Sequence, residues 1–139
     1  MASVMYNIFK YHDAIGEFNF LQDDLKVILV NNYSPDIDNH ENLEDVTAYE
    51  ISGVGYSTGG KSLESKTITR DDVNDRIVFN ASATQWENSY LRATGAIIYN
   101  DTSDDNYLVA FIDFGEAKVS NNTALRIQWS NIEGIFYKK

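Results

Sequence analysis

The sequence predicts a mainly β protein: an antiparallel β-sandwich or barrel of about seven or eight strands with one short N-terminal helix, in a single domain over residues 1–139. Three observations predict this fold class. Only the first fifteen residues or so show apolar side chains at helical spacing. The rest is a series of short apolar runs rich in β-branched and aromatic residues, separated by turns rich in Asn, Asp and Ser. No helical segment lies between these runs, which argues against βαβ units.

The first predicted element is a helix over residues 4–15. Five side chains fall at spacings of three and four and therefore share one face: Met5, Ile8, Phe9, His12 and Ile15. Ser3 is suited to cap the N-terminus of this helix, and Gly16 is suited to end it.

The strands follow in order. Residues 25–30 (LKVILV) form the apolar run expected of a central strand, and residues 31–48 form a long polar excursion with a helical turn near 43–46. In the strand at 124–129, Leu125, Ile127 and Trp129 share one face. Eight strands are predicted in total. Besides 25–30, they lie at 49–54, 61–69, 76–81, 95–100, 107–114, 124–129 and 134–137.

The composition excludes several classes of function. The chain carries 21 acidic and 11 basic residues, a net charge of −10, which disfavours both a nucleic-acid surface and docking on anionic lipid. There is no cysteine, so no disulfide, thiolate metal site or cysteine nucleophile is possible. We expect no secretory signal and no membrane span, because no apolar run is long enough.

One motif suggests nucleotide chemistry. Residues 55–62 (GYSTGGKS) match the phosphate-binding pattern G-x-x-x-x-G-K-S, and the run 108–113 ends in Asp113, as a magnesium-binding strand would. That chemistry needs a helix to begin at the loop, yet residues 63–69 favour a strand. We therefore interpret the motif as a Gly-rich turn with Lys61 and Ser62 in solvent, and we predict no enzyme activity.

Other chemical signals are weak. The acidic runs 36–41 and 101–105 lack the glycine of a calcium loop and are interpreted as solvated loops, although cation binding stays open. His12 and His40 lack the paired spacing of a zinc site. A carboxylate pair of the glycosidase type also stays open, because it depends on spatial separation. We predict no catalytic, cofactor-binding or metal-binding residue.

Aromatic side chains provide one further candidate. Exposed aromatics can stack on sugar rings, but in a β-sandwich tyrosine and tryptophan more often pack in the core, and we favour packing. The side chains in question are Tyr56, Trp86, Tyr90, Tyr99 and Tyr107.

Eight sequence blocks follow one another in order along nearly the whole chain. They are YNIFK at 6–10, KVILVNNYSPDIDNHE at 26–41, EISGVGYSTGGKSL at 50–63, KTIT at 66–69, DRIVFNASATQW at 75–86, AIIYNDT at 96–102, LVAFIDFG at 108–115 and ALRIQWSNIEGI at 124–135. In this set the chain resembles a family of small bacteriophage virion structural proteins of the capsid decoration or head-associated type.

The resemblance implies a non-enzymatic capsid decoration (cement) protein, made in the host bacterial cytoplasm and located on the outer head surface, where it stabilises the shell. The implied partners are the major capsid protein or other virion proteins, with self-association on the particle left open. Nucleic acid, membrane and cofactors are not expected. The alternative is a tail or fibre module that binds host glycan or other fibre subunits.

The predicted contact elements are the helix at 4–15 and the excursion at 31–48, because long loops in compact domains usually have a function. The candidate capsid-contact residues in them are Met5, Tyr6, Phe9, Tyr33, Pro35, Ile37 and Leu43.

Overall fold

The computed structural model describes all residues from 1 to 139 and confirms the mainly β fold class, with ten strands and one short N-terminal α-helix. All strand pairs are antiparallel. The elements are β1 (Ala2–Met5), α1 (Asn7–Ala14), β2 (Leu25–Val30), two 3-10 helices (Leu43–Asp45 and Thr47–Tyr49), β3 (Lys61–Ser62), β4 (Thr67–Asp71), β5 (Arg76–Asn80), β6 (Thr84–Ser89), β7 (Arg92–Asn100), β8 (Leu108–Val119), β9 (Thr123–Ile127) and β10 (Phe136–Lys138).

The strands form three sheets. Five strands form the largest, in the order β1-β8-β7-β2-β3, while β10-β5-β4 and β6-β9 form the other two. The main core cluster of 23 buried residues draws side chains from all three sheets, among them Leu29, Phe79 and Leu125. The three sheets therefore enclose one hydrophobic core.

The central strand β2 is buried on both faces. Val27 and Leu29 point into the main core, whereas Ile28 and Val30 point into a second cluster of nine buried residues on the opposite face of the sheet. A strand covered on both sides has no solvent face, and this explains why five of the six residues at 25–30 are apolar, with Lys26 as the one half-buried exception. The second cluster is covered by residues 31–49, which comprise the predicted excursion and Tyr49 and are called the excursion below.

The helix is shorter than predicted. It begins at Asn7, and residues 2–5 are instead strand β1, with Val4 opposite Phe111 of β8. The prediction that Ser3 caps the helix is wrong, because the edge of β8 offers this backbone a ladder of hydrogen bonds that a further helical turn would forgo. The prediction that Gly16 ends the helix is confirmed, since Gly16 has φ +80° and donates its N–H to the Asp13 carbonyl at 3.1 Å.

Two strand predictions need correction. Residues 49–54 do not form a strand, because Thr47–Tyr49 is a 3-10 helix and only Glu50 bridges to β2. The predicted strand 61–69 divides into β3 and β4 around Ser65, whose φ of +53° breaks the extended backbone. The sequence analysis also missed β6, whose half-polar sequence TQWENS carries no apolar run.

The helical turn predicted near 43–46 is present as the 3-10 helix Leu43–Asp45. No helix of this chain is both long enough and apolar enough to cross a membrane.

Candidate interaction surface

The start of α1 and the excursion 31–49 are bound to each other. The backbone N–H of Asn7 donates to the Ile37 carbonyl at 3.1 Å, and its side-chain amide donates to the Asp38 carboxylate at 2.7 Å. The two elements predicted from sequence to contact a partner therefore form one continuous surface, which we call the α1–excursion surface.

Backbone hydrogen bonds also hold the excursion at its two ends and along its length. Asn31 donates to the Tyr49 carbonyl at 3.1 Å, which brings the two ends of the segment together. Further along, Leu43 donates to the Asn106 carbonyl at 3.0 Å, and Leu108 donates to the Glu41 carbonyl at 2.9 Å. A long segment with this many backbone hydrogen bonds keeps one shape before any partner arrives.

A buried polar chain supports the surface from beneath. The hydroxyls of Tyr6 and Tyr33 lie 2.8 Å apart, and the Tyr33 hydroxyl lies 2.7 Å from Nδ1 of His40. The Asp36 N–H also donates to that nitrogen at 3.3 Å, so Nδ1 of His40 acts as an acceptor. Burial raises the pKa of both Tyr6 and Tyr33, and both remain phenols.

The candidate contact residues separate into two groups. Tyr6 and Phe9 are fully buried and Tyr33 is 7% exposed, so these three support the surface and cannot reach a partner. The prediction that these three residues contact a partner is therefore corrected. Each of them packs in the core beneath the surface that it was expected to form. The other four are half-buried, with Met5 on β1 and Pro35, Ile37 and Leu43 on the excursion.

The excursion is strongly acidic, which gives the surface its charge. Residues 31–49 contain five acidic residues and no lysine or arginine. Asp45 accepts backbone hydrogen bonds from Glu41 and Asn42 at 2.9 and 3.2 Å, and these bonds lower the pKa of its carboxyl group. Glu41 and Glu44 are exposed, and their carboxylates form no hydrogen bond or ion pair within the chain.

The Gly-rich loop at 55–62 is a structural turn. It leads into β3, not into a helix, and Lys61 donates to the Gln85 carbonyl at 2.7 Å. The Glu50 carboxylate accepts the Gly59 N–H at 2.9 Å and the Tyr56 hydroxyl at 2.6 Å. The loop amide at Gly59 thus already binds an internal carboxylate.

The glycine of this motif has a packing role. A Cβ atom added at Gly60 would lie 1.8 Å from the Val27 carbonyl oxygen of β2, so only glycine allows β3 to pair there. Lys61 and Asp113 cannot share a phosphate, because three strand spacings separate β3 from β8, about 14 Å across the sheet. The arrangement explains the motif without a nucleotide.

The acidic loops and histidines are engaged in local contacts. Asp101 pairs with Lys26 at 3.1 Å, and Asp36 accepts hydrogen bonds from Asn39. His12 stacks on Tyr107 with ring centroids 4.0 Å apart. No three His, Asp or Glu side chains lie together in a way that could hold a metal ion.

Four of the five aromatic side chains considered for sugar stacking pack in the interior. Trp86, Tyr99 and Tyr107 are at most 3% exposed, and Tyr56 is half-buried, with its hydroxyl accepting the Leu29 N–H at 3.1 Å. Burial raises the pKa of Tyr99 to about 12. Only Tyr90 is exposed, at 50%. The packing interpretation is therefore confirmed for the buried members of the set.

Sequence reasoning missed one further feature, the strand edge at β1 and the groove beside it. Its only signal in the sequence is a four-residue uncharged segment, which is too short to distinguish from the start of a helix. Comparisons with protein-family models, with curated proteins and with solved structures found no match to this chain.

Proposed function

We propose that the protein is a bacteriophage capsid decoration protein that binds the outer head surface and stabilises the assembled shell. The resemblance noted in the sequence suggests this role. The single observation that supports it in the structure is the α1–excursion surface, an acidic and pre-ordered surface built from the two elements expected to make the contact.

The shape and charge of this surface define the partner. Half-buried Pro35, Ile37 and Leu43 supply the apolar part, and Glu41 and Glu44 supply unpaired negative charge. Its complement on the shell is an apolar patch bordered by lysine or arginine, presented by the major capsid protein. Because the excursion is already fastened, binding loses little conformational entropy in this segment.

Stabilisation of the shell then follows from mass action. A ligand that binds only the assembled shell stabilises it by about 2.7 kcal/mol per site at a free concentration one hundred times its Kd. An interface of ordinary size, about 1,600 Å² in total, suffices for such binding when it is repeated by symmetry.

The alternative location is the tail or a fibre, with a glycan or another fibre subunit as the partner. In this chain it depends on exposed Tyr90 as the one accessible ring among the five considered for stacking. We therefore favour the head over the tail or a fibre as the location of the protein.

Particle reconstruction tests the proposal. Shells from a phage that encodes the chain, but from which its gene has been deleted, are mixed with purified protein and imaged to measure occupancy. We expect E41K/E44K to lose occupancy on the head. The control D104K/E116K makes the same change in net charge at exposed acidic positions outside the surface and should bind normally. Equal occupancy of the two variants, or density confined to the tail, would refute the proposal.

A further inference from the structure

An apolar groove lies along the outer edge of β1. It has a volume of about 570 Å³, and one wall is the segment between β9 and the end of β10. Ile112, Trp129, Ile135 and Phe136 are among its lining residues and are almost fully buried. The groove lies apart from the excursion, so it is a second surface and does not depend on the proposed function.

The backbone of β1 offers unused hydrogen-bonding groups to this groove. Tyr6 donates its N–H to the Val109 carbonyl at 3.1 Å, and the register places Val4 opposite Phe111. In an antiparallel ladder, alternate residues point their N–H and C=O groups toward the neighbouring strand. Residues 2, 4 and 6 therefore face β8, and Ser3 and Met5 direct two N–H donors and two C=O acceptors outward.

The groove wall also contains one buried donor without a partner and one exposed carboxylate without an ion pair. Trp129 is 1% exposed, and its indole N–H has no hydrogen-bond acceptor. Burying such a donor without a partner costs about 1–3 kcal/mol. Glu133 is the only acidic or basic side chain that lines the groove, and it forms no ion pair.

We propose that an extended segment of another protein chain docks in this groove as a sixth strand, antiparallel to β1. Main-chain hydrogen bonds to Ser3 and Met5 provide the affinity, and alternate apolar side chains of the segment enter the groove. A lysine or arginine in the segment pairs with Glu133. The occupant is thus a short, mainly apolar strand with one basic residue.

A second copy of this chain fits the groove poorly. Each copy carries a net charge of −10, so copies repel each other. A single extended segment with a basic residue avoids this repulsion.

A peptide selection tests the inference with the full chain. A random library of eight-residue peptides is selected for binding to the wild-type protein, and the enriched peptides are measured against Ser3→Pro and Ser3→Ala. Ser3→Pro removes an outward N–H but no bond to β8, whereas Ser3→Ala keeps that N–H. We expect Ser3→Pro to weaken binding at least tenfold and Ser3→Ala to leave it unchanged.

Two further readouts locate the peptide. Amide hydrogen exchange at Ser3 and Met5 should slow at least tenfold when the peptide binds. Glu133→Lys should weaken binding at least fivefold, and a peptide with its basic residue changed to glutamate should regain it. The inference is overturned if no peptide is enriched, if enriched peptides bind Ser3→Pro as tightly as wild type, or if Ser3→Pro instead dissociates a dimer of the free protein.

Discussion

Alanine at Gly60 should destabilise the protein far more than alanine at Gly16, although the two glycines have nearly the same φ angle. Their φ angles are +76° and +80°. A Cβ atom at Gly16 meets nothing within 4 Å, whereas at Gly60 it would lie 1.8 Å from the Val27 carbonyl oxygen and 2.6 Å from the carbonyl carbon. The pair therefore separates backbone strain from steric clash.

The magnitudes follow from these two terms. A left-handed conformation at an alanine costs about 1–2 kcal/mol, and this is the whole expected effect at Gly16. At Gly60 the same strain applies, and the steric clash that forces β3 away from β2 adds about 1–3 kcal/mol or more. The Gly60 variant should thus lose about 2–5 kcal/mol from a total stability of about 5–15 kcal/mol.

Thermal unfolding followed by circular dichroism measures the difference. For a chain of this length, 1 kcal/mol corresponds to about 3–4 °C in Tm. We expect Gly16→Ala to lower Tm by about 3–8 °C and Gly60→Ala by about 6–20 °C. Equal shifts in the two variants would refute the argument that Gly60 is required for the contact between β3 and β2.

Three further predictions concern the same loop and the excursion. Lys61→Ala should leave Tm within about 2 °C of wild type, as for most exposed substitutions. Neither the wild type nor the variant should bind a fluorescent ATP analogue. If the wild type bound the analogue and the variant did not, the phosphate-loop hypothesis would be restored. Tyr56→Phe should lower the free energy of unfolding in urea by about 1–3 kcal/mol, because the buried Leu29 N–H loses its acceptor. Unchanged stability together with unchanged hydrogen exchange at Leu29 would contradict this contact. Asp45 accepts two backbone N–H groups that lower its pKa, so its contribution to stability is present above its usual pKa of 3.8 and is lost as the pH falls below that value. Asp45→Asn should therefore show a smaller fall in Tm between pH 5 and pH 2.5 than wild type, and parallel curves for the two proteins would count against the prediction.

The fold class could be predicted because its signals are local. Residues 25–30 are apolar except for Lys26, and residues 124–129 alternate, so each segment carries its own evidence for a strand. The prediction that the helix starts at residue 4 was wrong because the deciding interaction there is not local. Residues 2–5 have no strong local preference, and the hydrogen bonds offered by β8, more than one hundred residues later, decide their conformation.

The candidate surface was predicted only in outline. The length and polarity of the excursion at 31–48 indicated a functional loop, but polarity cannot show which of its residues face inward. Tyr33 illustrates the difficulty: its hydroxyl has polar partners in Tyr6 and His40, so a residue that looks amphipathic in the sequence is buried in the fold. The groove at β1 is formed by segments separated by more than one hundred residues and has no continuous sequence signal.

The sequence by itself determined the β architecture, the acidic surface and the rejection of the phosphate-loop motif, because periodicity, charge and β-branching act over a few residues. The tertiary structure alone decided that β1 is a strand with an open edge, that the excursion is fastened to α1, and that Gly60 lies against β2. Each of these depends on which distant backbone groups come within hydrogen-bond or van der Waals distance. That outcome is set by the packing of the whole chain around its core and not by any local pattern.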